Sequence, residues 1–323
     1  MPRARTSGRH GISMSGSGYT VFGAGSVGTV LAGLLADAGV DVRLAGRGAV
    51  AGLRLEGDEE TVVARVPVVE RPEGTILLCV HAPEVAGLCA RWPGETVVTW
   101  QNGVASEETA ARHCRVIGGV WRMTCTLVEQ GRALFTRRGR VVVGRHPQGR
   151  GDAEVLALAA DLRAAGLDVG VAERIAADKW LKLCLNLTSA PHALIRKPDH
   201  ARPEFGALKA ALLEEAREVL RAAGIEARSC DGRDASLEAE IEKHRAGGTR
   251  RRPVHNDTWR QLARGRRPKS LYHDTIVDLA GGEAPRNAAM LELVLRATEP
   301  ECYSVDEVFT ALGGESCGTR HTP

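Results

Sequence analysis

Residues 19–47 constrain the fold of this chain more than any other stretch. They read as a short apolar strand, a glycine-rich turn, an amphipathic helix and a second strand, with three glycines spaced G-x-G-x-x-G. In that spacing the first glycine permits a tight turn, the second lets a phosphate approach the backbone, and the third lets helix and strand pack closely. We therefore predict a dinucleotide-binding βαβ unit, whose cofactor-binding residues are Gly23, Ala24, Gly25, Ser26, Val27 and Gly28. A βαβ unit whose glycines serve packing alone is the alternative.

The residue after the second strand indicates which dinucleotide is bound. An acidic side chain about 20 residues beyond the glycines usually holds a free ribose hydroxyl, whereas an arginine accommodates a 2′-phosphate. The chain offers Arg47 there and no carboxylate. Because a guanidinium holds phosphate through paired hydrogen bonds, we predict NADPH as the cofactor, bound in part by Arg47. The alternative is an ordinary solvated arginine.

The chain is long enough for two domains, and its periodicity changes along its length. The 323 residues exceed the usual size of one domain. Strand-like segments dominate the first half, and helical periodicity dominates the second. We predict an α/β fold with a Rossmann-type NADP-binding domain over residues 18–171, followed by an all-α substrate and catalytic domain over residues 172–312. Residues 1–17 and 313–323 are predicted to be a flexible extension and a flexible tail.

Several strands of the first domain follow from local pattern. Residues 75–80 form a continuous apolar run, as expected of a parallel strand covered on both faces. Residues 116–126, 133–136 and 140–143 are predicted to form an antiparallel or mixed extension of the same sheet.

Composition and charge exclude several classes of function. The net charge of +3 is small and the basic residues are scattered, which argues against nucleic-acid and membrane-surface binding. No apolar run reaches the roughly 18 residues of a membrane span. The eight cysteines form no C-x-x-C pair, and free thiols in a reducing cytoplasm explain them better than disulfides or zinc. We expect a cytoplasmic protein without a metal, whose partner is a small molecule; the oligomeric state stays open, a homodimer included.

The first candidate for the chemistry is Asn102, in the sequence Gln101-Asn102-Gly103. It follows a predicted parallel strand and precedes a helix, at the sheet edge where α/β proteins bind their ligands. An amide both donates and accepts, so Asn102 suits a ribose hydroxyl or a substrate oxygen near the nicotinamide. The alternative is that Asn-Gly simply forms a turn.

The second candidate is the pair Lys182 and Asn186, which are four residues apart and share one helix face. A partly buried lysine can hydrogen-bond a ketone oxygen and protonate it as hydride reaches the carbon. Desolvation would lower the pKa of its ammonium group from about 10.4 and make it a better acid. In the alternatives, Asp178 holds Lys182 in a surface ion pair, or Lys179 on another face is the relevant lysine.

The third candidate is Thr258, at the start of a later helix in the sequence Asn256-Asp257-Thr258-Trp259. Its hydroxyl group could bind a substrate carboxylate. However, Asn, Asp and Thr are all common helix caps, and capping is the alternative role.

Taken together, these segments resemble the ketopantoate reductase (2-dehydropantoate 2-reductase) family over residues 19–298. The resemblance depends on VFGAGSVG, WQNGV, DKWLKLCLN, HNDTW with LARG, and APRNAAMLELV, in this order. It implies NADPH-dependent reduction of a 2-oxo acid to a 2-hydroxy acid, with ketopantoate as the default substrate and pantoate as its product. It also implies that Lys182 is the catalytic lysine, and that the substrate-binding residues are Asn186, Asn102 and Thr258.

Two departures from the family pattern bear on the substrate. The family's T-E-x-D-Y glutamate falls on Lys269 or Ser270, so that no carboxylate is in register. The family's Lys-Ala pair after the fourth strand is His81-Ala82 here, which assigns His81 to the cofactor site. The alternatives are a divergent member that reduces another ketone or imine in specialised metabolism, and a catalytically silent NADPH-binding protein.

Overall fold

The computed structural model describes residues 18–57, 60–137, 139–149, 152–230, 236–247, 255–268 and 271–314. This part of the chain forms two compact units that divide between Lys179 and Trp180. The predicted extension at residues 1–17 and most of the predicted tail lie outside the described residues. Within the described ranges, no helix has both the length and the apolar character that a membrane span requires.

The first unit alternates strands and helices. Its described strands are β1 (Tyr19–Phe22), β2 (Val42–Ala45), β3 (Gly52–Gly57), β4 (Thr61–Arg65), β5 (Thr75–Leu78), β6 (Thr96–Thr99), β7 (Arg115–Trp121), β8 (Thr124–Glu129), β9 (Arg132–Arg137), β10 (Arg140–Arg145) and β11 (Asp168–Val171). Its helices are α1 (Ser26–Asp37), α2 (Val85–Cys89), α3 (Ser106–Ala111) and α4 (Ala153–Ala164). A short 3₁₀ helix, Ala82–Glu84, precedes α2, and α5 (Ile175–Leu187) crosses the division between the units.

A seven-stranded sheet in the order β11-β10-β7-β6-β5-β1-β2 forms the centre of the first unit. The strands from β2 to β7 in this order are mutually parallel, whereas β10 is antiparallel to β7. Val21, Leu77 and Val98 are fully buried, as expected of parallel strands covered on both faces. The chain leaves β1 toward β2 on one side and returns to β5 on the other. Ligands of α/β proteins bind at such a switch point, outside the carboxyl ends of the strands.

A second sheet, in the order β4-β3-β9-β8, corrects the prediction for residues 116–126 and 133–136. The prediction that they form one extension of the main sheet is wrong: β7 ends at Trp121, and β8 and β9 join β3 and β4. All four strands contact α1, which also contacts β1 and β2. Because both sheets cover α1, residues 28–35 are buried without interruption, where an amphipathic helix was expected. Each strand can be predicted from its local pattern. Which sheet it joins depends on α1, whose second apolar side the strands β3, β4, β8 and β9 cover.

The described part of the second unit is helical apart from an isolated bridge between Ile195 and Tyr303. After the last part of α5 its helices are α6 (Ser189–Leu194), α7 (Pro203–Ala222), α8 (Leu237–Arg245), α9 (Asp257–Ala263), α10 (His273–Leu279), α11 (Pro285–Arg296) and α12 (Val305–Ala311). The predicted fold class, a Rossmann-type α/β domain followed by a helical domain, is confirmed. Helices α6 and α12 were not predicted.

Helix α7 supplies much of the core of the second unit. Its residues Phe205, Leu208 and Leu212 recur at helical spacing, are almost fully buried, and pack in one cluster with Met290 and Val308. Burial of each such side chain contributes roughly 1.5–3 kcal/mol. The same core includes Leu262 of α9, the helix that carries Thr258.

Candidate functional site

The glycine turn after β1 has the geometry that a phosphate cradle requires. Gly23 has φ +112°, a conformation that favours glycine, and a Cβ atom there would lie 2.5 Å from the carbonyl oxygen of Cys79. A Cβ atom on Gly28 would lie 1.9 Å from the carbonyl oxygen of Gly23. On Gly25, by contrast, it would meet no heavy atom of the described residues within 4 Å. Gly23 and Gly28 are therefore required by the fold, whereas Gly25 borders open space.

The beginning of α1 fits an anionic ligand. Gly25 is the N-cap residue of this 12-residue helix and, having no side chain, accepts no capping hydrogen bond from the first turn. No acidic residue lies in the first turn. The first N–H groups of a helix have no intrahelical partner, and the positive end of the helix dipole favours negative charge. A pyrophosphate bound by residues 23–28 would accept hydrogen bonds from these groups.

Arg47 and His81 lie in the turns that follow β2 and β5, the two neighbours of β1. Arg47 is 96% exposed, and its Nη2 atom lies 3.4 Å from Oε1 of Glu84. The other carboxylate oxygen of Glu84 accepts a hydrogen bond from the backbone N–H of His81, at 3.1 Å. Sequence reasoning found no carboxylate near Arg47 and missed Glu84. Glu84 could have been found from the sequence, because parallel strands bring their carboxyl ends, and the turns that follow them, to one edge of a sheet.

The turn after β6 is held rigidly around an exposed Asn102. The side-chain amide of Gln101 donates hydrogen bonds to the carbonyl oxygens of Leu78 and Val80, at 2.8 and 3.0 Å. Gly103 has φ +90°, so the Asn-Gly turn of the alternative interpretation is present. The turn lies at the carboxyl edge of β6, the edge at which we expect a dinucleotide.

Lys179, the rival to Lys182, has a structural partner. Its side chain is 3% exposed, and its Nζ atom lies 2.7 Å from Oε1 of Glu107 and 2.8 Å from the carbonyl oxygen of Gln101. Lys182 is half-buried on the same helix. Asp178, the ion-pair partner considered for Lys182, is fully buried.

In the second unit, Asn186 and Thr258 line one pocket, although 72 positions of sequence separate them. The pocket has an apolar side contributed by α11, and its polar side chains are Asn186, Ser189, Thr258, Tyr272 and His273. Lys182 lies one turn before Asn186 on α5 and is not part of the pocket lining. Lys269 and Ser270, the positions of the family's glutamate, lie outside the described residues.

Helix capping does not explain Thr258. The side-chain oxygen of Asn256 accepts the capping hydrogen bond from the backbone N–H of Trp259, at 2.9 Å. The amide nitrogen of Asn256 also donates to the carbonyl oxygen of Ser189, at 2.7 Å, and so attaches α9 to the start of α6. With Asn256 as the cap, the 7% exposed Thr258 contributes its side chain to the pocket instead.

His273 is a pocket residue that sequence reasoning missed. Its Nδ1 atom lies 2.7 Å from Oδ1 of Asn287, whose Nδ2 atom donates to Leu212 O and to Oε2 of Glu215. Since Nδ2 faces two acceptors, Oδ1 must accept, which assigns a proton to Nδ1 of His273. Burial lowers the pKa of His273 to about 4, and the hydrogen bond to Asn287 opposes this only in part. His273 is therefore a neutral, oriented polar group at pH 7.

Comparison with known proteins shows which family the first unit resembles. Residues 19–148 match the family model described as ketopantoate reductase PanE/ApbA. Among curated proteins, the 2-dehydropantoate 2-reductase of Archaeoglobus fulgidus is 28% identical to this chain over 221 residues, which is 64% of this chain and 74% of that protein. The resemblance inferred from the sequence motifs is confirmed.

Solved structures share the fold over most of the chain. The PanE/ApbA family ketopantoate reductase from Ralstonia eutropha JMP134 has a TM-score of 0.71 at 23% identity, covering 87% of this chain and 98% of that one. D-mandelate dehydrogenase, solved with NADH and anilino(oxo)acetate, has a TM-score of 0.70 at 18% identity, with 87% and 98% coverage. At these identities the similarity establishes the fold.

Proposed function

We propose, from the ketopantoate reductase PanE/ApbA domain that residues 19–148 carry, that this chain reduces a 2-oxo acid to a 2-hydroxy acid with NADPH. Its relatives are named 2-dehydropantoate 2-reductase, and the chain is an oxidoreductase that acts on a CH–OH group. The observation that carries the proposal is the glycine cradle. Gly25 borders open space at an uncapped helix start, between glycines that the fold itself requires.

The chemistry of the reduction assigns a role to each predicted site residue. The bound nicotinamide supplies a hydride to C2 of the oxo acid, and the carbonyl oxygen becomes an alkoxide. We propose that the Lys182 ammonium group hydrogen-bonds this oxygen and protonates it, while Asn102 and Asn186 orient it. The Thr258 hydroxyl group donates a hydrogen bond to the substrate carboxylate. The position of Lys182 supports this role, because it is half-buried and lies one helical turn before Asn186.

NADPH rather than NADH is part of the proposal. The exposed guanidinium of Arg47 supports it, because it lies after β2, where a 2′-phosphate is usually bound. NAD(P)H in general has wider support, since the structural neighbour D-mandelate dehydrogenase was solved with NADH. The Glu84 carboxylate beside Arg47 would weaken the preference for NADPH over NADH, because it competes with the 2′-phosphate for the guanidinium.

The default substrate is 2-dehydropantoate, and one observation favours a second candidate. None of the described residues that line the pocket is acidic, since its polar groups are amide, hydroxyl and imidazole. The sequence also has Lys269 and Ser270 in place of the family's glutamate, and the second candidate is therefore a divergent family member that reduces another ketone or imine.

A substrate panel tests the proposal. Oxidation of NADPH, followed by its absorbance, should be fast with at least one 2-oxo acid among 2-dehydropantoate and its analogues with and without a hydroxyl group. Turnover of 2-dehydropantoate at the highest kcat/KM would establish the default substrate, and a higher value for another compound would establish the second candidate. NADPH binding without turnover of any compound would instead support a catalytically silent binding protein.

A further inference from the structure

Three buried polar side chains meet beside the turn that carries Asn102. Oε1 of Glu107 accepts hydrogen bonds from Nζ of Lys179, at 2.7 Å, and from the hydroxyl group of Thr99, at 2.6 Å. Lys179 and Glu107 are 3% and 4% exposed, and Thr99 is fully buried. The Lys179 ammonium group also donates to the backbone carbonyl oxygen of Gln101, at 2.8 Å. The ion pair is therefore hydrogen-bonded, through Lys179, to the residue directly before Asn102.

Gln101 is held from two sides. Its side-chain amide donates to the carbonyl oxygens of Leu78 and Val80 at the end of β5, and its backbone carbonyl accepts from Lys179. Both its side chain and its backbone are thus fixed, whereas the next side chain, that of Asn102, is exposed. A rigid support that presents one exposed amide is the arrangement expected of a preorganised binding group.

Stability alone does not account for a buried ion pair at this place. Taking two charges out of water is costly, and apolar side chains of similar volume are often as stabilising as the pair they replace. An apolar side chain, however, cannot bond the Gln101 carbonyl. A lysine has three N–H donors, so it can bind Glu107 and Gln101 at once.

We infer that Lys179, held in place by Glu107, is a positioning residue that fixes the Gln101-Asn102 turn for ligand binding. The inference rests on the proposed function, in which Asn102 binds the NADPH ribose or the substrate oxygen. Lys179 itself contacts neither ligand in this role, because its buried Nζ atom is engaged by Glu107 and Gln101.

The test separates stability from positioning. Lys179→Met leaves the Glu107 charge buried and should lower both the Tm and ligand affinity. In Lys179→Met with Glu107→Leu, both charges are gone, so the Tm should recover while the Gln101 carbonyl remains unanchored. We expect the Kd of NADPH, or the KM of the 2-oxo acid, to stay raised by about tenfold to hundredfold in this double variant. Recovery of wild-type Kd and KM together with the Tm would overturn the inference.

A second measurement does not depend on the stability of the double variant. Asn102 is exposed, so Asn102→Ala should fold, and adding Lys179→Met to it should cause no further loss of ligand affinity. Full additivity of the two losses would also overturn the inference. Arg140→Met is the control, because it removes a different ion pair of the first unit, with Asp168 at 3.0 Å, and should change only the Tm. Wild-type protein that binds neither NADPH nor NADH would overturn the proposed function, and this inference with it.

Discussion

The guanidinium of Arg47 lies 3.4 Å from the carboxylate of Glu84, although 37 positions separate them in the chain. One residue follows β2 and the other lies in the 3₁₀ helix after β5, and β1 with its glycine turn lies between these strands. The arginine expected to bind a 2′-phosphate therefore already has an anionic partner. A phosphate that binds Arg47 must compete with Glu84 and is repelled by it.

Replacement of these two side chains should shift the cofactor preference in opposite directions. Arg47→Ala should raise the Kd of NADPH about tenfold and leave that of NADH nearly unchanged. Glu84→Gln should lower the Kd of NADPH, by about fivefold at most, because an exposed ion pair contributes little. Fluorescence titration with both cofactors measures the ratio of the Kd of NADPH to the Kd of NADH. Arg43→Ala, which removes another β2 arginine paired with Asp41, should leave the ratio unchanged; a similar shift there would argue against a specific role for Arg47.

Alanine at two positions of the glycine turn should have different consequences. Gly28→Ala would place a Cβ atom 1.9 Å from a backbone oxygen, so we expect a loss of several °C in Tm, corresponding to about 1–3 kcal/mol. Gly25→Ala has extended backbone and open space, so the Tm should stay the same while NADPH binding weakens at least tenfold.

The control for the glycine variants is Gly87→Ala, because this helical glycine of α2 also has open space around a Cβ atom. It should keep or slightly raise the Tm without affecting NADPH. Unimpaired NADPH binding by Gly25→Ala would favour the alternative in which the glycines serve packing alone.

Removal of the proposed acid should slow the chemical step. Lys182→Ala is expected to lower kcat by about 10²–10⁴, the usual contribution of a placed general acid, with little change in the Kd of NADPH. Steady-state kinetics with the best substrate of the panel provides the measurement. Lys243→Ala on α8, which removes an exposed lysine paired with Glu240, serves as control and should keep the wild-type kcat. Near-wild-type turnover of Lys182→Ala would remove this lysine from the mechanism.

Three histidines, of which His244 and His273 are buried and His192 is half-buried, should make the protein less stable in mild acid. Burial lowers the pKa of His192 to about 3 and those of His244 and His273 to about 4. Between pH 6.5 and pH 4 the unfolded chain binds protons at these sites and the folded chain does not, so stability falls as the pH falls. Urea unfolding at pH 7 and pH 5 should reveal a loss of about 1–2 kcal/mol per histidine. His244→Gln should reduce the loss, and an unchanged difference would mean that His244 is protonated in the folded state.

Thr258→Val tests the pocket of the second unit. The two side chains have similar shapes, so the variant removes the hydroxyl group of a buried residue with little change in packing. We expect the KM of the 2-oxo acid to rise about tenfold, the Kd of NADPH to stay the same, and the Tm to change little. Equal effects on both ligands would contradict a role limited to the substrate.

Much of the fold follows from local sequence. The strand, glycine turn and helix at residues 19–37 agree with prediction, because side-chain period and glycine spacing depend on residues a few positions apart. The same reasoning places Lys182 and Asn186 on one helix face. The split of residues 116–126 between two sheets did not follow, because strand propensity is continuous across it while the choice of sheet depends on α1.

The sequence by itself determined the dinucleotide-binding motif, the order of the two kinds of unit, and the identity of the residues proposed for the chemistry. Only the tertiary structure decided their partners: Glu84 beside Arg47, Glu107 beside Lys179, and Thr258 in one pocket with Asn186 and His273. The physical reason is range. Hydrogen bonds and side-chain periods within an element depend on residues a few positions apart. Contacts between loops, by contrast, depend on strand order and helix packing, which local sequence patterns do not reveal.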